Sequence, residues 1–239
     1  RPAKPLLGKT TPRVFTKPLR RLTPRTSRGF EVIAFAEGVL GIVLTPWQKW
    51  LYVHALELLP DGRYRFRTIL ILIARQNGKT LWAQVLSLWA LYVDGASLVL
   101  GTAQNLDIAE ECWQGAVDIA EGCPELAPEI ADVNRTNGKK ALILTTGERY
   151  KVQAANRRGG RSLTVNLALL DELREHQTWD AWGAITKTTP CGSRSIRRSK
   201  RSLPSKPWAK PTSNVSTWCR TRRSGNGAPS IRPAVCRPR

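Results

Sequence analysis

The chain has 239 residues, enough for one domain of ordinary size or one domain with tails. A formal charge of +20 points to a polyanion binder, yet residues 1–29 carry nine Lys or Arg and 190–239 carry thirteen, with no acid in either, while 30–189 hold sixteen bases against eighteen acids. No apolar run reaches membrane-spanning length, and five cysteines without a Cys-x-x-Cys pair, beside two histidines, exclude a zinc constellation and fit a reducing compartment.

Residues 1–29 read as a basic, Pro- and Thr-rich arm, disordered or wrapped on a surface. The segment from Gly29 to Leu40 is weakly helical. Thr45-Pro46-Trp47-Gln48 opens a stronger helix, with Thr45 suited to the N-cap and Pro46 to the first helical position; Pro60-Asp61-Gly62 ends it. His54 reads as a packed helix residue. The run Arg67-Thr-Ile-Leu-Ile-Leu-Ile-Ala74 predicts a buried strand, and Leu81 to Val93 a helix, with Arg75-Gln76-Asn77-Gly78-Lys79-Thr80 at the turn joining them. Strand, turn and helix in that order can hold a triphosphate. Turn N–H groups face phosphate oxygens and the helix N-terminus adds partial positive charge. A lysine reaches the outer phosphates and a threonine hydroxyl binds Mg²⁺. The usual pattern has a glycine where this chain has Ile73, so the strict motif is not met.

A second buried strand is predicted over Ser97 to Thr102, then an amphipathic helix over Asn105 to Glu121 with Leu106, Ile108, Ala109, Trp113, Val117 and Ile119 as its apolar set. Lys140 to Thr145 and Arg149 to Ala155 alternate like a hairpin around Thr146-Gly147-Glu148. The loop Asn156-Arg157-Arg158-Gly159-Gly160-Arg161-Ser162 suits either a flexible basic connection or a phosphate contact. Val165 to Leu170 is an apolar run that ends in Asp171-Glu172. In a P-loop ATPase the first of two such carboxylates holds Mg²⁺ and the second polarises the attacking water. A short helix is predicted from Trp179 to Thr188. Alternating strands and helices predict an α/β fold of the P-loop NTPase, RecA/ASCE-like type: a mostly parallel sheet flanked by helices, with the ligand at the strand C-termini.

From Pro190 the periodicity stops. Nine serines, seven prolines and thirteen bases fill residues 190–239. Two explanations stand: an evolved nucleic-acid-binding tail, or a shifted reading frame, which better suits Trp208, Trp218, Cys191, Cys219 and Cys236. The chain contains no methionine, which is expected of a fragment or of a true start lying upstream.

Together, Thr45-Pro-Trp-Gln48, Ala74-Arg-Gln-Asn-Gly-Lys-Thr80, Gly101-Thr-Ala-Gln-Asn105, the Arg157–Arg161 loop and Leu169-Leu-Asp-Glu172 resemble the large terminase subunit of tailed bacteriophages, over residues 30–189. This is the motor ATPase that packages viral double-stranded DNA into a procapsid. The resemblance accounts for Ile73 and for Arg75 early in the loop. It implies ATP and Mg²⁺ as cofactors, and that Gln48 contacts adenine. Arg75, Gln76, Asn77, Gly78, Lys79 and Thr80 would cradle phosphate. Thr80 and Asp171 would hold Mg²⁺, Glu172 would activate water, and Arg75 would stabilise the transferred phosphoryl. Arg158 and Arg161 are weaker candidates for sensing the γ-phosphate. Implied partners are DNA, a small terminase subunit, a portal protein and further copies of the chain in a ring, in the host cytoplasm and not in a membrane. The family's nuclease domain uses clustered acids, and residues 190–239 contain no Asp or Glu, so that domain is expected to be absent and the ATPase sheet incomplete. The alternative expectation is a non-enzymatic prophage remnant that binds nucleic acid through its basic tails.

Overall fold

A computed structural model of the chain describes residues 12–74, 76–103, 106–136, 138–153 and 164–171. The described residues divide into two compact units: one takes 12–37 and Ile42–Leu72, the other Gly38–Gly41 and 73–171.

In the first unit, helix α1 (Gly29–Gly38) and helix α2 (Pro46–Ala55) form as the sequence predicts. Thr45 has extended N-cap backbone, Pro46 occupies the first turn, and the Thr45 N–H donates to Gln48 Oε1 at 2.9 Å. Gly29 lets the two helices touch. A Cβ there would come within 2.2 Å of the Tyr52 carbonyl carbon, so any larger residue forces them apart. Val32, Phe35, Trp50, Leu51 and Tyr52 fill the space between, each at most 3 % exposed. Burying five large apolar side chains stabilises this small unit by roughly 10 kcal/mol before chain entropy is counted. Residues 12–28 lie against it: the Ser27 hydroxyl donates to the Val53 carbonyl, and backbone bonds tie Arg28 to Leu56 and Leu58 to Thr26. Of the two forms expected for the arm, this part is wrapped on a surface.

The second unit is a sheet with helices. Helix α3 (Lys79–Tyr92) is followed by β1 (Leu98–Thr102), α4 (Leu106–Gly122), β2 (Ile130–Asn134), β3 (Ala141–Leu144), β4 (Arg149–Val152) and β5 (Leu167–Leu170). The strand order is β2-β3-β4-β1-β5. Strand β1, between β4 and β5, runs parallel to both neighbours, pairing Val99 with Leu167 and Leu98 with Arg149; β2, β3 and β4 pair antiparallel. Gly147, at φ 95°, makes the β3–β4 turn where the sequence placed it. Strand β2 has no counterpart in the sequence reading, because its solvated Asp132 and the prolines before it mask the β pattern.

Two expectations need correction. The apolar run Arg67 to Ala74 is not a strand: no residue in it pairs in the sheet, and Leu70 and Leu72 are exposed. A strand needs a neighbour to satisfy its N–H and C=O groups, and among the described residues this segment has none in the sheet. The buried stripe of α4 is Ala109, Cys112, Trp113, Ala116, Val117 and Ala120, with Leu106, Ile108 and Ile119 only half-buried. Small residues at 112, 116 and 120 let the helix lie close to β1 and β4, and Trp113 Nε1 reaches the Tyr150 carbonyl at 3.2 Å. The predicted helix Trp179–Thr188 lies outside the described residues.

Candidate active site

Three elements of the second unit converge at the C-terminal end of its parallel strands. The turn into α3 has an alternating hand. Gln76 has φ 59° and Gly78 φ 80°, and Asn77 between them is not left-handed. Such alternation turns successive N–H groups to one side and makes an anion-binding concavity. The left-handed region costs a residue with a Cβ roughly 1–2 kcal/mol, so Gln76 is held there by its surroundings; glycine at 78 avoids the penalty. Asn77 Nδ2 donates to the Ala74 carbonyl at 3.1 Å and closes the turn. Helix α3 then begins at Lys79 with its free N–H groups and partial positive charge directed at the same place.

Lys79 Nζ donates a hydrogen bond to Asp171 Oδ1 and forms an ion pair with it. Asp171 stands one residue beyond β5. Its N–H donates to the Thr102 carbonyl at 2.9 Å, which extends the β1–β5 ladder to the carboxylate itself. The sheet register therefore fixes the carboxylate, and the helix start fixes the ammonium. Both side chains keep access to water, at 40 % and 27 % exposure, so the pair adds at most about 1 kcal/mol to stability and is open to exchange for a ligand. Thr80 is exposed on the first turn of α3.

Beneath this pair, burial of Cys112 pushes its thiol up to about 11, so it stays protonated and is neither nucleophile nor metal ligand near neutral pH. Thr102 is a site neighbour that sequence reading gave no role. It ends β1, is 2 % exposed, and its hydroxyl has no hydrogen-bond partner among the described residues. The signal was present in Gly101-Thr-Ala-Gln-Asn105, but burial of the hydroxyl is visible only in the fold.

Gln48 belongs to the first unit. It is 1 % exposed, and its Oε1 accepts from both the Thr45 N–H and the Thr45 hydroxyl, so the structure gives it a capping role. His54 stacks on Trp50 at 3.6 Å and bonds the Trp50 carbonyl, as a packed helix residue does. Arg75, Glu172, Arg158 and Arg161 lie outside the described residues. Among the described residues no three His, Cys, Asp or Glu side chains gather as a metal cluster, and no helix is long and apolar enough to cross a membrane.

A helix-flanked sheet with a phosphate-type turn at a helix start, and a carboxylate at the end of a neighbouring parallel strand, defines the P-loop class of α/β folds. The large terminase of bacteriophage HK97 shares this fold at a TM-score of 0.57 and 26 % identity, over 68 % of this chain and 35 % of that one. That likeness gives the chain a fold like that of part of a phage large terminase. The ATPase domain of a Thermus phage large terminase aligns at a TM-score of 0.47 and 20 % identity, over 64 % of this chain and 62 % of that one. No protein-family model and no curated protein matches the sequence. The chain spans about a third of the length of the HK97 protein.

Proposed function

We propose that this chain carries the nucleotide site of a phage DNA-packaging motor, in which hydrolysis of Mg-ATP drives double-stranded DNA into a procapsid. One observation carries the reading: Lys79 and Asp171, 92 residues apart in sequence, meet at a left-handed turn that opens a helix. An ammonium, a carboxylate, a hydroxyl and a ring of N–H groups are the donor set that a magnesium triphosphate requires. Gln76, Asn77 and Gly78 offer backbone N–H groups to phosphate. Lys79 would contact the outer phosphates, and Asp171 with the Thr80 hydroxyl would hold the metal. When bound, the metal supplies neutralisation of phosphate charge. By the resemblance, Glu172 takes the proton of the attacking water and Arg75 faces the transferred group, and Arg158 and Arg161 serve as auxiliary phosphate contacts. The small subunit, the portal and a ring of copies in the host cytoplasm follow from the same resemblance.

Phosphate release from Mg-ATP by the purified chain tests this. Glu172→Gln is expected to lower turnover about 10²–10⁴-fold while nucleotide binding persists, the loss typical of a missing general base. Lys79→Ala is expected to lose both. A parent chain whose turnover survives both changes sinks the assignment. A parent that binds no nucleotide, yet binds DNA with a steep salt dependence, favours the non-enzymatic remnant.

A further inference from the structure

The first unit sorts its charges. In residues 12–37 and 42–72 there are ten Lys or Arg against four acids. All four acids are consumed internally: Glu31 pairs with Arg28 at 2.6 Å, Glu57 with Arg65 at 2.6 Å, Asp61 with Arg63 at 2.6 Å, and Glu37 with Lys49. The excess falls on one segment. Arg13, Lys17, Arg21 and Arg25 are exposed, and their side chains make no ion pair or hydrogen bond among the described residues.

The segment that carries them is fastened. Glu57, 1 % exposed, accepts the Leu19 N–H at 2.8 Å and the Arg65 guanidinium at 2.6 Å. Arg65 also donates to the Lys17 carbonyl at 2.9 Å, and Arg20 donates to the Leu58 carbonyl at 3.0 Å. A buried carboxylate and two arginines are thus spent on holding the backbone between the free cations. A solvated tail needs no such fastening. A surface that meets a partner gains from it, because ordering is completed before binding.

We propose that Arg13, Lys17, Arg21 and Arg25 form a fixed cationic strip that contacts the phosphates of duplex DNA without reading its bases. Arginine matches phosphate geometry. A protein partner is a poorer fit: protein interfaces centre on large apolar or aromatic anchors, and over residues 12–28 the one strongly exposed large apolar side chain is Leu19. The strip is independent of the nucleotide site, and its binding needs no ATP.

The test is fluorescence anisotropy of a labelled duplex with the full chain, at salt from about 50 to 200 mM, where each phosphate contact contributes roughly −0.9 to the slope of log K on log salt. The variant R13Q/K17Q/R21Q/R25Q is expected to shrink that slope by about 3 to 4. A second variant adds Glu111→Gln, Asp118→Asn, Glu121→Gln and Asp132→Asn, all exposed positions of the other unit, which restores the net charge. Its slope is expected to stay shrunken. An unchanged slope in the first variant overturns the strip, as does recovery in the second, which would make binding a matter of net charge. Displacement of the duplex by poly-glutamate at equal charge overturns the assignment to DNA.

Discussion

His54 shows how burial decides the chemistry of a single side chain. Its ring lies on Trp50, its Nδ1 bonds the Trp50 carbonyl, and desolvation lowers its pKa from 6.5 to about 4 against weaker opposing effects from that carbonyl and from Glu57. The folded chain thus holds a neutral imidazole at a pH where the unfolded chain holds a charged one. A depressed folded pKa gives stability that is full above about 6.5 and is lost as pH falls through 4. Between these limits the unfolded state binds the extra proton. The whole effect is at most roughly 3 kcal/mol. Urea unfolding of the parent and of His54→Leu at pH 7 and pH 4.5 isolates it from the carboxylates, which titrate in both. The parent is expected to lose more stability than the variant over that interval. Equal losses would mean that His54 is already solvated in the fold.

At the scale of elements, the helices were the most legible. The Thr45-Pro46 start, the turn that leads into α3 and the Asp94-Gly95 stop all reflect local chemistry that acts wherever the chain is placed. Helix α3 is present within two residues of its expected limits, whereas α2 starts where expected but ends at Ala55, short of the Pro60 stop. Strands β1, β3, β4 and β5 were legible because their periodicity happened to agree with their burial. The failure was Arg67 to Ala74, which has the strongest β-type composition of any segment yet joins no strand. Composition reports what a segment tolerates, whereas pairing requires a neighbour. In the site, Lys79 and Asp171 were readable as ends of apolar runs, but their direct contact was not, since it depends on the register of β5 on β1. Hydrogen exchange measures the difference between the two apolar runs. Backbone amides of β1 are expected to be protected to the level of global unfolding, and those of Ile69 to Ile73 to exchange orders of magnitude sooner. Equal protection would show that Ile69 to Ile73 is paired in solution.

Across the described residues, charge and the pairing of strand edges are both uneven. The described residues of the second unit hold six bases against eleven acids, the reverse of the first, so a net charge quoted for the chain hides two units of opposite sign. Among the described residues β5 has one neighbour, its four residues Leu167-Ala-Leu-Leu170 are uncharged, and all are half-exposed, whereas every residue of β1 is buried. Natural sheets blunt an edge with charge, proline or a bulge, and β5 has none of these. An apolar parallel edge whose outward N–H and C=O groups have no sheet partner among the described residues is a template for a second copy of itself. The chain is therefore expected to self-associate as its concentration rises, with growing light scattering and added β signal, and to do so more readily at high salt, where repulsion between its basic segments is screened. Leu167→Lys places a charge on the edge at a half-exposed position, away from Asp171, and is expected to raise the onset concentration several-fold without changing the unfolding midpoint by more than about 1 kcal/mol. If Leu167→Lys associates as the parent does while removal of salt abolishes association in both, the contact lies on the charged surfaces and the edge is covered. If the variant stays monomeric where the parent does not, the open side of β5 is where this sheet lacks its next strand.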